Sequence, residues 1–264
     1  MTKADTPYLI GVIREWERGF LEDDEYTRLI EAKSIEEARH VLVDTPYGER
    51  PMEEHLQEVH KWLGGGVNDE RVYQFISARY DALNVATALM EKRGGNEAMK
   101  EKSPLGSLSA DIIQSTVWHN LGWENVPEIW ESFIKGQLEV EAGLADIMAA
   151  AASRAQTWRK QLAFTPLMRE VAAWYDKGER QDKRERPFTP QDDATEYDRQ
   201  MDEELIKIIK QHRFEPTGYD MIMAFWYAKE LEVRNLRLLL AAKGSAMDSA
   251  DLRKLNRSLF RSLA

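Results

Sequence analysis

The chain predicts an all-α fold. Three observations carry that reading: apolar residues recur at helical spacing along most of its 264 residues, no stretch alternates apolar and polar residues with period two, and the helical patterns are punctuated by capping residues, prolines and glycines.

Tyr8–Phe20 is predicted as the first helix and Asp23–Ala32 as the second, opened by Glu22, Asp23 and Asp24, whose charges suit the positive end of a helix. Ser34-x-x-Glu37 has the form of a capping box before a helix through Val43. Asp44-Thr45-Pro46-Tyr47-Gly48 reads as a turn, because Pro46 and Gly48 both oppose continuing that helix. Helices are expected over Glu53–Leu63 and Asp69–Lys92, separated by Gly64-Gly65-Gly66. That triplet lacks the Lys and Ser/Thr of a phosphate loop, so it is read as a hinge or turn. Met99–Leu108, charged and containing Pro104 and Gly106, is a loop. Further helices cover Ala110–Asn120, Val126–Lys135, Val140–Leu162 and Leu167–Asp176. Lys177–Pro190, KGERQDKRERPFTP, is charged enough to be expected as a solvated linker or mobile loop, the alternative being a recognition tract for an acidic partner. Glu196–His212 and Met221–Lys243 carry the clearest helical patterns, and Asp248–Leu263 closes the chain.

Composition narrows the function. Hydrophobic residues make up 43% of the chain, which suits a folded protein with a substantial core. A surplus of 46 acids over 36 bases, net charge −10, argues against non-specific binding to nucleic acid or an anionic bilayer and points to proteins or cations as partners. The absence of cysteine excludes a disulfide framework and a thiolate metal site. The N-terminal segment meets Arg14 and Glu15 too early for a secretory apolar core, and the longest apolar run, Met221–Ala228, falls far short of the roughly 18 residues of a membrane span. A soluble protein with no membrane span of its own is expected.

Catalytic motifs are scarce. The sequence has no G-x-x-x-x-G-K-[ST], H-E-x-x-H, G-x-S-x-G or G-x-G-x-x-G pattern. Glu37-x-x-His40 has the spacing at which two side chains on a helix can aim at one ion, but a carboxylate-bridged di-metal bundle needs two such pairs and two further glutamates. His55, His60, His119 and His212 lack a Glu three residues before them, so Glu37 and His40 are read first as a surface pair and second as metal ligands. Trp118, Trp123, Trp130, Trp158 and Trp174 are read as core aromatics, with a partner surface as the alternative for a few.

A pattern recurs within the chain. Asp81-x-x-Asn84-Val85-x-x-x-Leu89-x-x-Lys92 and Glu232-x-x-Asn235-Leu236-x-x-x-Leu240-x-x-Lys243 place an acid, an amide, two aliphatics and a lysine in the same register, each followed by a small-residue break at Gly94-Gly95 or Gly244-Ser245. Asn235 also interrupts an otherwise apolar stripe formed by Ala224, Ala228, Leu231, Leu238 and Ala242, so its amide should be buried and partnered.

The segment YAKELEVRNLRLLLAAKGSAMDSADLRKLNRSLF resembles the C-terminal signature of the AC39 family of V/A-type rotary ATPase subunits, in which an A-K-E-x-E-[IV]-x-N-[LI]-[RK] core precedes a Gly/Lys turn and an acid-led terminal helix. Ala228, Lys229, Glu230, Glu232, Val233, Asn235, Leu236, Arg237, Lys243 and Gly244 carry the match. The N-terminal region is similar too, at Phe20-Leu21, Tyr26, Leu29-Ile30, Ala32-Lys33-Ser34 and Asp44–Gly48, as is YDALNVATALMEKRGG. In the middle, FTPLMREVAAWYDKGE has no acid-x-x-Asn core and carries Pro166, which departs from the family's pattern.

The resemblance implies three-helix-bundle-like lobes in a funnel arrangement, here with approximate limits 1–98, 99–176 and 191–264, a charged loop over 177–190 and a reduced or diverged middle lobe. It implies a non-catalytic central-stalk subunit without a cofactor, peripheral on the cytoplasmic face of a membrane complex. Its partners there are the proteolipid ring and the central-stalk subunits of the ATPase head. Asp81, Asn84, Glu232 and Asn235 are then expected as tie points between helices, with Glu230 and Arg234 pairing on the surface and Arg237 within the same motif. A free helical adaptor diverged from that family and a carboxylate-metal helical enzyme are the rival readings.

Overall fold

The computed structural model describes residues 6–94, 102–139, 143–183, 192–212 and 218–256, and all regular structure among them is helical. The chain divides into two compact units, one formed by residues 1–68 together with 180–264 and the other by residues 69–179.

In the first unit, α1 (Thr6–Glu17), α2 (Asp23–Glu31), α3 (Ile35–Val41), α4 (Pro46–Glu49) and α5 (Met52–Gly66) come from the N-terminal part of the chain. α11 (Asp192–His212), α12 (Gly218–Gly244) and α13 (Ser249–Leu255) come from the C-terminal part. α12 is the axis of this unit and packs against α1, α2, α3, α5, α11 and α13. Its first half, MIMAFWYA, is apolar on every face, and a helix of that kind must be surrounded; every residue from Met221 to Val233 is buried. Trp16 meets Trp62 edge-on at 4.7 Å and Phe225 at 5.8 Å, while His60 lies 5.1 Å from Trp226.

Local chemistry sets the helix starts. Ser34 Oγ accepts from the Glu37 amide at 3.1 Å, as the capping pattern predicts, but the Glu37 carboxylate accepts from the Lys33 amide at 2.7 Å, one residue outside the expected box. Pro46 does not simply end a helix: Thr45 caps a new turn whose first residue is Pro46, a position where the missing N–H costs nothing. The glycine triplet is likewise no hinge. α5 runs through it, and a Cβ on Gly66 would lie 3.1 Å from Leu9 Cδ2, so a small residue lets the end of α5 meet α1.

The second unit contains α6 (Glu70–Arg93), α7 (Ala110–His119), a 3-10 turn at Trp123–Asn125, α8 (Glu128–Glu139), α9 (Leu144–Leu162) and the start of α10 (Pro166–Lys183). Asp69 caps α6 by accepting from the Arg71 amide, and Asn120, left-handed at φ 58°, ends α7. The most extensive helix contact is between α6 and α9. Both supply alanines to the core, Ala78, Ala82 and Ala86 from one and Ala151 and Ala155 from the other, around the fully buried Trp130. Trp118, Trp123 and Trp158 pack against that core. α10 continues to Lys183, so the first half of the charged segment is helical rather than a linker, while residues 184–190 lie outside the described residues.

Candidate functional site

On α12 the echoed motif forms a buried polar knot. Glu232, 2% exposed, accepts from the Leu21 amide at 2.7 Å through one oxygen. Its other oxygen accepts from the Tyr47 hydroxyl and from Lys229 Nζ at 2.9 Å. The Lys229 ammonium is itself buried, 4.6 Å from the centre of the Tyr47 ring and 4.9 Å from that of Phe20. Two charges this deep persist only because each has several partners; removing one partner costs about 3–5 kcal/mol. Burial and the Glu232 carboxylate push the hydroxyls of Tyr26 and Tyr47 well above the ordinary phenol range, so both stay protonated and Tyr47 remains a donor. Burial and the Lys229 charge lower His55 to about 4, and its ring meets that of Tyr47 edge-on.

The knot joins segments that lie far apart in sequence. Leu21 and Glu232 are separated by 211 residues, Tyr47 and Glu232 by 185. Asn235, one turn further along α12 and 1% exposed, donates to Asn256 Oδ1 at 3.0 Å, at the C-terminal end of α13. A buried amide bonded to a neighbouring helix end is what its place on the apolar stripe requires.

On α6 the matching residues hold a loop. Asp81, 0% exposed, accepts from the Leu108 amide at 2.9 Å and the Ser107 hydroxyl at 2.6 Å. Asn84 exchanges two hydrogen bonds with the backbone of Ser103, donating at 2.9 Å and accepting at 2.8 Å. Burial raises Asp81 to about 6, against the pull of those hydrogen bonds and of the Arg159 charge. Gly106 is part of this arrangement: a Cβ there would lie 2.7 Å from Asp81 Oδ1 and 2.9 Å from Asn84 Nδ2.

The remaining motif residues separate. Glu230 is buried, 8% exposed, rather than lying on the surface. Arg234 instead donates to Asp202 of α11, whose side chain is 8% exposed. Arg237 forms an exposed ion pair with Glu53 at 3.2 Å, a contact worth little in water. Tyr47, Lys229, Gly106 and Asp202 belong to these arrangements, and spacing alone does not mark them as site residues. Lys229 and Tyr47 lie within the two segments that carry the family resemblance, the signal that points to them; Gly106 and Asp202 have no local signal.

Glu37 is committed to the start of α3. No group of three or more His, Asp or Glu side chains among the described residues is placed to hold a metal ion. A cleft beside the knot is lined by Arg18, Phe20, Leu21, Asp24, Arg28 and Pro46, among others.

No curated protein matches the chain. The sequence model of the ATP synthase (C/AC39) subunit family matches residues 124–255, half of the chain, taking in the middle of the sequence and the α12 knot's carboxylate, amide and lysine. That span includes the Glu232–Asn235 motif, and the chain belongs to the ATP synthase (C/AC39) subunit family.

Proposed function

We propose that the protein is the non-catalytic central-stalk subunit of a V/A-type rotary ATPase, coupling the soluble ATPase head and stalk to the membrane proteolipid ring for proton or sodium transport. The match to an ATP synthase subunit family over residues 124–255 carries the reading. In this role its lobes form a funnel on the cytoplasmic face of the ring and receive the foot of the rotating stalk. No helix among the described residues is long and apolar enough to cross a membrane, which agrees with docking on a ring rather than insertion beside it. The net charge of −10 supports protein partners over nucleic acid.

A part that passes torque must not yield internally. Asp81, Asn84, Glu232 and Asn235 serve as tie points, with Glu230, Arg234 and Arg237 supporting α12. Directional hydrogen bonds to a buried carboxylate fix a neighbour's position in a way that apolar contact does not. Membrane vesicles from cells lacking the protein test the role: they are expected to lose ATP-driven ion uptake while the head still hydrolyses ATP, and added protein should restore uptake. Undiminished ATP-driven uptake without the protein contradicts it.

A further inference from the structure

Each long helix carries a lysine eleven residues after its clamping acid, Lys92 after Asp81 on α6 and Lys243 after Glu232 on α12. Lys92 donates to the Val117 carbonyl near the end of α7. Lys243 donates to the carbonyls of Ile30 and Ala32 at the end of α2, each at 2.7 Å. These are the same short helices whose leading segments the acids hold.

The agreement extends to single residues. The amide that each acid accepts belongs to the residue just before the N-cap, Leu108 ahead of Ser109 and Leu21 ahead of Glu22. The carbonyl that each lysine meets lies nine residues later, at Val117 and Ile30. Acid and lysine follow one another along the long helix in the direction of the short one, so each pair of helices runs parallel. The charges also have the favourable sense, a carboxylate before the positive end of the short helix and an ammonium on carbonyls left without a partner within the helix, the one at Ile30 also accepting from the Ser249 hydroxyl at 3.0 Å.

Chain connection does not impose this arrangement. α7 follows α6 in sequence, whereas α2 ends at Glu31 and α12 begins only at Gly218. Apolar seams are non-directional, and packed helices can shift against one another by a turn.

We propose that the acid–lysine pair on each long helix is a register lock, which fixes the axial position of the short helix and makes the two move as one body. The device rests on hydrogen bonds within each unit and stands apart from the proposed function.

Amide exchange measured by mass spectrometry on the full chain tests it. Lys243→Met keeps the stem of the side chain and removes the donor; it is expected to speed exchange of α2 amides roughly 10- to 100-fold and leave α7 unchanged, while Lys92→Met does the reverse. Lys243→Gln, which keeps a neutral donor, should fall between wild type and Lys243→Met. Should Lys243→Met fail to fold, Lys92→Met reads the same claim in the other unit. Unchanged protection in the short helix paired with the altered lysine, or protection lost evenly along the whole chain, overturns the proposal.

Discussion

His60 is 1% exposed, and burial lowers its pKa from 6.5 to about 4. It is therefore neutral in the native protein and takes up a proton on unfolding below pH 6.5. The unfolded state then binds more protons, so the stability His60 contributes is fully present above pH 6.5 and is lost as pH falls toward about 4, up to about 3 kcal/mol. Asp81 works in the opposite sense. Its native pKa is raised from 3.8 to about 6, so its contribution is fully present below pH 3.8 and is lost as pH rises through about 6. Replacing His60 by Phe should reduce the fall in melting temperature between pH 6.5 and 4.5, leaving the share that His55, also lowered to about 4, contributes; a slope unchanged in His60→Phe places the titrating group elsewhere. Neither shift is visible in the sequence, where His60 is only one of five histidines and Asp81 one of 46 acids.

The loop from Ser103 to Leu108 follows α6 closely because Asp81 and Asn84 bond its backbone at both ends. Gly106 lies between these contacts, and a methyl group 2.7 Å from Asp81 Oδ1 must push the loop off the helix. Gly106→Ala is expected to lower stability by about 1–3 kcal/mol in urea unfolding, by the cost of overpacking a close contact. Wild-type stability would mean that the loop is not held there. Helical periodicity makes the elements legible, since α2, α6, α7 and α12 begin and end within a few residues of their expected limits. The departures have tertiary or local causes. α5 passes through Gly64–Gly66 because Gly66 packs on Leu9; α4 exists because Pro46 suits a first helical position; α10 extends to Lys183 because charge alone does not break a helix. The acid and amide of the α12 motif are readable from their spacing. Their partners at Leu21, Tyr47 and Asn256 are not, because no local pattern links residues 21 to 211 positions away.

At the scale of the molecule, the coupling role proposed here rests on membership of the ATP synthase (C/AC39) subunit family. The first unit is assembled from both ends of the chain, with the Glu232 knot tying the turn before α2 and the start of α4 to α12. Such an assembly holds its N-terminal helices by long-range contacts, which suits the load-carrying role proposed for it. Whether it carries load between a ring and a stalk is answered most directly by what it binds. Tagged protein recovered from its native cells in mild detergent is predicted to bring down both the proteolipid ring and the catalytic head. Recovery of the protein alone, under conditions that leave the rotary complex intact, would contradict the coupling role and identify a free helical adaptor of the same family.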